Sequence, residues 1–177
     1  MIIFGPIPSR RLGKSLGINN IPPKHCTYSC IYCQIGKTLN MTIQRQEFYK
    51  PEEIYLKLKE KLKELKNSNI IPDYLTFVPD GEPTLDINLA KEIELIKEFG
   101  IKIAVITNSS LIHIKEVQDA LSMADWVSVK VDTVDKEEWF KINRPHRGID
   151  FQKMLDEIIK FSKNFKNTLV SETMVVK

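Results

Sequence analysis

The chain has 177 residues, 42% of them hydrophobic and 28% charged, with a net charge of +3. That length suits one domain with a real core, and the charge is too small to argue for nucleic acid by itself. No apolar run approaches a membrane span and no signal peptide is visible, so the expectation is a soluble, cytoplasmic protein.

Ile2-Ile3-Phe4 reads as an edge strand, turned by Gly5, Pro6 and Pro8. Ser9 to Ser15 follows as a basic loop. Its Arg10, Arg11 and Lys14 suit either a phosphate or carboxylate grip or plain solvation. Leu16 to Ile21 is the first interior strand, ended by Pro22-Pro23.

All three cysteines come next, Cys26, Cys30 and Cys33, within eight positions. Their odd number and the lack of a signal peptide argue against a disulfide framework. Thiolates at this spacing can turn onto one soft-metal centre. Zinc prefers four ligands, usually in CxxC pairs, and His25 is badly placed to serve as the fourth. A [4Fe–4S] cluster normally takes four cysteines, so three leave one iron open for a ligand. The spacing favours a cluster, with zinc or buried thiols as the alternatives.

Gln34 to Glu47 is polar, with a turn at Gly36. Pro51 opens a helix that carries Ile54, Leu58, Leu62 and Leu65 on one face. Tyr74 to Val78 is a buried strand, and Asp80-Gly81-Glu82-Pro83-Thr84 follows it directly. Such a segment makes an ordinary turn. At a strand C-terminus it also puts a glycine and a carboxylate where parallel α/β folds build sites.

Asn88 to Phe99 is a helix stopped by Gly100, and Ile101 to Ile106 a strand ending in Thr107-Asn108-Ser109-Ser110. Those polar residues can cap the next helix, Ile114 to Leu121, or serve a site. Trp126 to Val131 is the next strand. Alternation puts Ser128, Lys130 and Asp132 on one face, where a lysine and a carboxylate make unusual packing residues and suit polar contacts to a cofactor or substrate, or else a salt bridge at the rim. Lys136 to Ile142 is a short helix. Asn143-Arg144-Pro145-His146-Arg147-Gly148 interrupts it, with His146 either solvated or an acid/base or phosphate contact. Asp150 caps a helix with Phe151, Leu155, Ile158 and Ile159, and Thr168 to Val176 is the last strand.

The cysteine stretch resembles the CxxxCxφC signature of the radical SAM superfamily, with Tyr32 in the aromatic position. The alternation of strands and helices resembles that family's partial (β/α) barrel, with five parallel strands present and the last βα unit or units missing. Gly81-Glu82-Pro83 resembles the family's GGEP motif, with Asp80 in place of the first glycine. Thr107-Asn108-Ser109 resembles a TNG-like segment, with Ser109 in place of its glycine. Gly5 to Gly13 and Asn143 to His146 resemble a subgroup known only as Fe–S oxidoreductases, distantly similar to wyosine-forming tRNA enzymes.

The resemblance implies that Cys26, Cys30 and Cys33 hold a [4Fe–4S] cluster and that S-adenosylmethionine (SAM) chelates the open iron. Reductive cleavage of SAM would give a 5′-deoxyadenosyl radical that abstracts hydrogen from an unknown substrate: a tRNA base, a protein or a small molecule. The implied SAM-contacting residues are Tyr32, Gly81, Glu82, Pro83, Thr107, Asn108, Ser128, Lys130 and Asp132. A ferredoxin or flavodoxin would supply the electron. The family's barrel has six βα units, so residues 1–177 are expected to be a radical SAM core incomplete at its C-terminus, with a partner or second copy over the last strand. The rival reading is a truncated, non-catalytic relative that binds a cluster or zinc.

Overall fold

The structure, a computed structural model, describes residues 1–176. Eight strands and five helices alternate along the chain. Strands β1 (Ile3–Ser9), β2 (Gly13–Ile18), β3 (His25–Cys26) and β4 (Asn40–Met41) come first, and then helix α1 (Pro51–Asn67). They are followed by β5 (Tyr74–Phe77), α2 (Leu89–Ile96), β6 (Lys102–Thr107), α3 (Lys115–Ser122), β7 (Trp126–Lys130), α4 (Lys136–Asn143), α5 (Phe151–Asn164) and β8 (Thr168–Glu172). The main sheet has the order β1-β2-β5-β6-β7-β8. β1 is antiparallel to β2, and every other neighbouring pair is parallel. This is a mixed α/β fold with a predominantly parallel sheet, as the alternation of elements predicts.

The parallel strands alternate across the sheet. Leu75 and Phe77, Ile103 and Val105, and Val127 and Val129 belong to the large core shared with the helices. Ala104 and Trp126 lie in a separate small cluster with Leu12, against which Tyr74, Ile106 and Val170 pack. The opposite face is thus filled at one end by an aromatic plug and carries small polar groups elsewhere, such as Ser15, whose hydroxyl is 2.7 Å from that of Thr76. Period-2 alternation with both faces covered is what a parallel sheet requires.

The helices start and stop on recognisable signals. Pro51 stands in the first turn of α1, where its missing N–H costs no hydrogen bond. Asp150 caps α5 by accepting from Lys153 N at 2.9 Å. Gly100 ends the 3-10 turn after α2 at φ 66°, a conformation glycine adopts without Cβ strain.

Four expectations change. The prolines do not turn the chain after Phe4: β1 runs on to Ser9, with a register shift between Phe4 and Ile7. An edge strand tolerates proline because its outward N–H needs no partner. The supposed basic loop is therefore a hairpin tip, Arg10 to Leu12, and the second strand starts at Gly13 and ends at Ile18 rather than Ile21. The buried stripe of α5 is Phe151, Met154, Ile158 and Phe161, while Ile159 is exposed. The last strand stops at Glu172 instead of Val176, because β7, its one neighbour in the sheet, ends opposite it at Lys130.

Candidate functional site

The three cysteines are free thiols on the long connection from β2 to α1. Two sets of backbone bonds tie this loop down, one to the segment after β5 and one to the end of α4 and the residues just beyond it. Lys24 N donates to Asp80 O at 2.7 Å and Glu82 N to His25 O at 3.1 Å. Ser29 N donates to Asn143 O at 3.1 Å, Ile31 N to Ile142 O at 2.9 Å, and His146 N to Thr27 O at 2.8 Å. The segment after β5 and the connection after α4 thus hold the cysteine loop from two sides. Gly81 is used for close approach, but to backbone: the space its Cβ would take is filled by the His25 carbonyl.

Glu82 is 1% exposed and accepts four hydrogen bonds. Its Oε1 takes Thr84 N at 3.1 Å, Thr84 Oγ1 at 2.6 Å and Thr107 Oγ1 at 2.6 Å, and its Oε2 takes Asn108 N at 2.7 Å. The carboxyl therefore clamps the end of β5 to the end of β6. Burial raises its pKa, against the pull of the Thr107 and Thr84 hydroxyls. The Cys26 thiol is pushed up to about 12, first by burial and then by the Glu82 charge. Burial also raises Cys30, opposed by a hydrogen bond from Asn143.

All three thiols line one cavity of about 530 Å³ together with Tyr32, within the usual size range of ligand pockets. Gly81, Glu82, Thr107, Asn108 and Lys130 also line it. Of the residues singled out from the sequence, Pro83, Ser128 and Asp132 stand elsewhere. Pro83 is buried at the start of a 3-10 turn, and Ser128 is buried within β7. Asp132 lies just beyond the end of β7, its side chain 0% exposed, accepting from Tyr32 OH and from Met174 N. Lys130 Nζ is 3.9 Å from Asp132 Oδ1 and 5.1 Å from the Tyr32 ring centroid, so a cation–π contact and an ion pair hold it at the cavity wall. His146 accepts from Gly148 N through Nδ1 at 3.1 Å, which makes it part of its own turn.

The sequence reading missed Thr27 and Asn143. Thr27 Oγ1 accepts from Asn108 Nδ2 and from Ser110 Oγ, both at 2.7 Å. Asn108 Nδ2 is also 3.5 Å from Cys26 Sγ, and Asn143 Nδ2 is 3.4 Å from Cys30 Sγ. Asn143 belongs to a segment carrying the subgroup resemblance, but nothing in its spacing connects it to a cysteine 113 positions away.

Among the described residues no three His, Cys, Asp or Glu side chains gather to hold a single metal ion. Three soft thiols on one cavity, two with an amide N–H at the sulfur, form a donor set that fits a cluster.

A predominantly parallel α/β sheet thus carries a three-thiol loop over one cavity at its strand C-termini. The chain belongs to the radical SAM superfamily, whose family model matches residues 20–177. It is 55% identical over 175 residues to a UPF0026 protein of Methanocaldococcus jannaschii, covering 99% of this chain and 54% of that one. It is 37% identical over 180 residues to a UPF0026 protein of Helicobacter pylori, covering 99% and 56%. The chain thus spans about half the length of these relatives. Among solved structures it is similar to TYW1 with a lysine-pyruvate adduct bound, with a TM-score of 0.60 at 16% identity, covering 91% of this chain and 56% of that one. The expected kinship with the wyosine-type enzymes therefore stands in the fold. Among the described residues no helix is long and apolar enough to cross a membrane.

Proposed function

We propose that the protein is a radical SAM enzyme in which Cys26, Cys30 and Cys33 hold a [4Fe–4S] cluster beside a SAM site. The observation that carries this reading is the convergence of the three thiols with Gly81, Glu82, Thr107 and Asn108 on one cavity. When bound, the cluster supplies the electron that cleaves SAM reductively to methionine and a 5′-deoxyadenosyl radical, which abstracts hydrogen from substrate.

This chain's residues position and shield. Glu82 fixes two strand ends so that the Gly81-Glu82 backbone borders the cavity, and the oxygens of that segment suit an ammonium group. Pro83 fixes the turn beneath it. Lys130, steadied by Asp132 and Tyr32, offers a cation at the cavity wall, where a carboxylate or phosphate would be drawn. Ser128 is buried in β7, two residues before Lys130. Apolar Phe4, Ile35 and Ile106 line the same cavity and limit water there, which strengthens the polar contacts.

A ferredoxin or flavodoxin is the electron donor in this reading, and free thiols suit the reducing cytoplasm. The test is anaerobic reconstitution with iron and sulfide, followed by dithionite and SAM. The expected result is a brown protein that forms 5′-deoxyadenosine. Stoichiometric zinc without iron would overturn the reading, and a cluster without SAM cleavage would make the protein a non-catalytic relative.

A further inference from the structure

Asn143 is the last residue of α4, buried, with Arg144 after it in the left-handed region at φ 45°. That sharp exit turns the backbone under the cysteine loop, where Asn143 O accepts from Ser29 N. Its side chain reaches three polar groups at once. Nδ2 donates to Asp132 Oδ2 at 2.6 Å, and it lies 3.4 Å from Cys30 Sγ and 3.2 Å from Tyr32 OH. Its two amide hydrogens can serve the carboxylate and the sulfur together.

The buried Asp132 carboxylate and the Cys30 sulfur thus share one amide donor. Asn143 stands between the two and donates to both. Asn108 is the corresponding amide at Cys26, 3.5 Å from that sulfur, but its other partner is the neutral Thr27 hydroxyl instead of a carboxylate.

We propose that Asn143 is a positioning residue that holds Cys30 as a hydrogen-bonded thiolate and raises the reduction potential of the cluster bound there. An N–H donor withdraws electron density from a ligating sulfur and favours the reduced, more negative cluster. Removing it also leaves the sulfur facing the Asp132 charge with no donor between them, which moves the potential the same way. The inference rests on the reading that Cys30 ligates a cluster.

The test compares reconstituted wild type with Asn143→Leu, which keeps approximate volume and loses both hydrogens, and with Asn143→Ser, which keeps a shorter donor. Iron and sulfide content and far-UV circular dichroism establish loading and folding. An EPR-monitored dithionite titration then reads the midpoint potential. The expected result is a full cluster in each protein, with the potential moved negative in Asn143→Ser and further negative in Asn143→Leu. Unchanged or more positive potentials in loaded variants overturn the inference alone. Folded variants that both lose iron make Asn143 a scaffold of the loop, which also overturns it. A wild-type protein that takes up no iron overturns the functional reading and this inference with it.

Discussion

Gly81 and His25 meet so closely that a Cβ built on Gly81 would stand 1.9 Å from the His25 carbonyl oxygen. Backbone occupies that space, and no rotamer change can relieve the overlap. In Gly81→Ala the cysteine loop and the segment after β5 must separate. Overpacking of this kind costs about 1–3 kcal/mol. The expected outcome is a folded protein with a lowered unfolding midpoint and reduced iron uptake, measured by thermal melting and by iron content after reconstitution. Wild-type iron content in the alanine variant would show that the contact does not matter to the thiols.

The clamp made by Glu82 predicts a different pattern. Glu82→Gln turns one accepting oxygen into a donor, facing hydrogens from Thr84, Thr107 or Asn108. A buried donor left facing another donor costs about 1–3 kcal/mol. Thr84→Val removes only one of the four bonds, the 2.6 Å bond from the Thr84 hydroxyl, and should cost about 0.5–1.5 kcal/mol. Urea unfolding checks the order. Equilibrium dialysis with SAM on the loaded protein should find weaker binding in Glu82→Gln than in Thr84→Val.

A second buried acid lies beneath the same segment. Glu92 is wholly buried and accepts from Asn20 Nδ2 at 3.1 Å. Its other oxygen, Oε1, and Asp86 Oδ2 have no partner among the described residues. The Glu92 carboxyl is pushed up to about 9, by burial first and the Asp86 charge second, and burial also raises Asp86. Arg45 and Glu47 are the other charged groups acting on this pair, and their effects on Asp86 oppose each other. A carboxyl raised on folding holds a proton that the unfolded chain releases near its ordinary value of about 4.3. Its stabilisation is complete below that value and is lost as pH rises toward about 9. Glu92→Gln mimics the protonated acid at every pH. Wild-type melting temperature should fall between pH 5 and pH 9, and the variant's should stay flatter. Parallel curves would place the pH dependence elsewhere.

Arg10 and Arg11 stand exposed at the tip of the β1–β2 hairpin, and Arg147 is exposed in the connection between α4 and α5. If the substrate is tRNA, replacing all three with alanine should weaken a gel shift and flatten its salt dependence by roughly one unit of slope per lost phosphate contact. An equal shift in the triple variant would remove these arginines from any RNA surface.

The elements were legible where local chemistry and tertiary packing agree. Pro51, Asp150 and Gly100 mark helix ends in the sequence and in the fold. The thiols and the Asp80–Thr84 segment were legible as a site because their spacing, and their place after a strand, carry chemical meaning. The hairpin at Arg10 was hidden, since Pro6 and Pro8 signal a turn except at a sheet edge, and edge position is a tertiary fact. The stripe of α5 was read one position out of phase at Ile159, because the helix has more apolar residues than one face can bury and the sheet selects among them. Asn143 and Thr27 were invisible for a further reason. An amide or hydroxyl has no periodicity, and its role depends on what the fold brings beside it.

The pair formed by Arg11 and Glu172 joins the tip of the first hairpin to the end of β8, at opposite margins of the sheet. Arg11 is 57% exposed there, so this bridge contributes at most about 1 kcal/mol and salt weakens it. The thiol side, by contrast, is fastened by backbone hydrogen bonds that salt barely touches. The cavity therefore has a stiff floor and a compliant brim, and ionic strength acts most strongly at the brim.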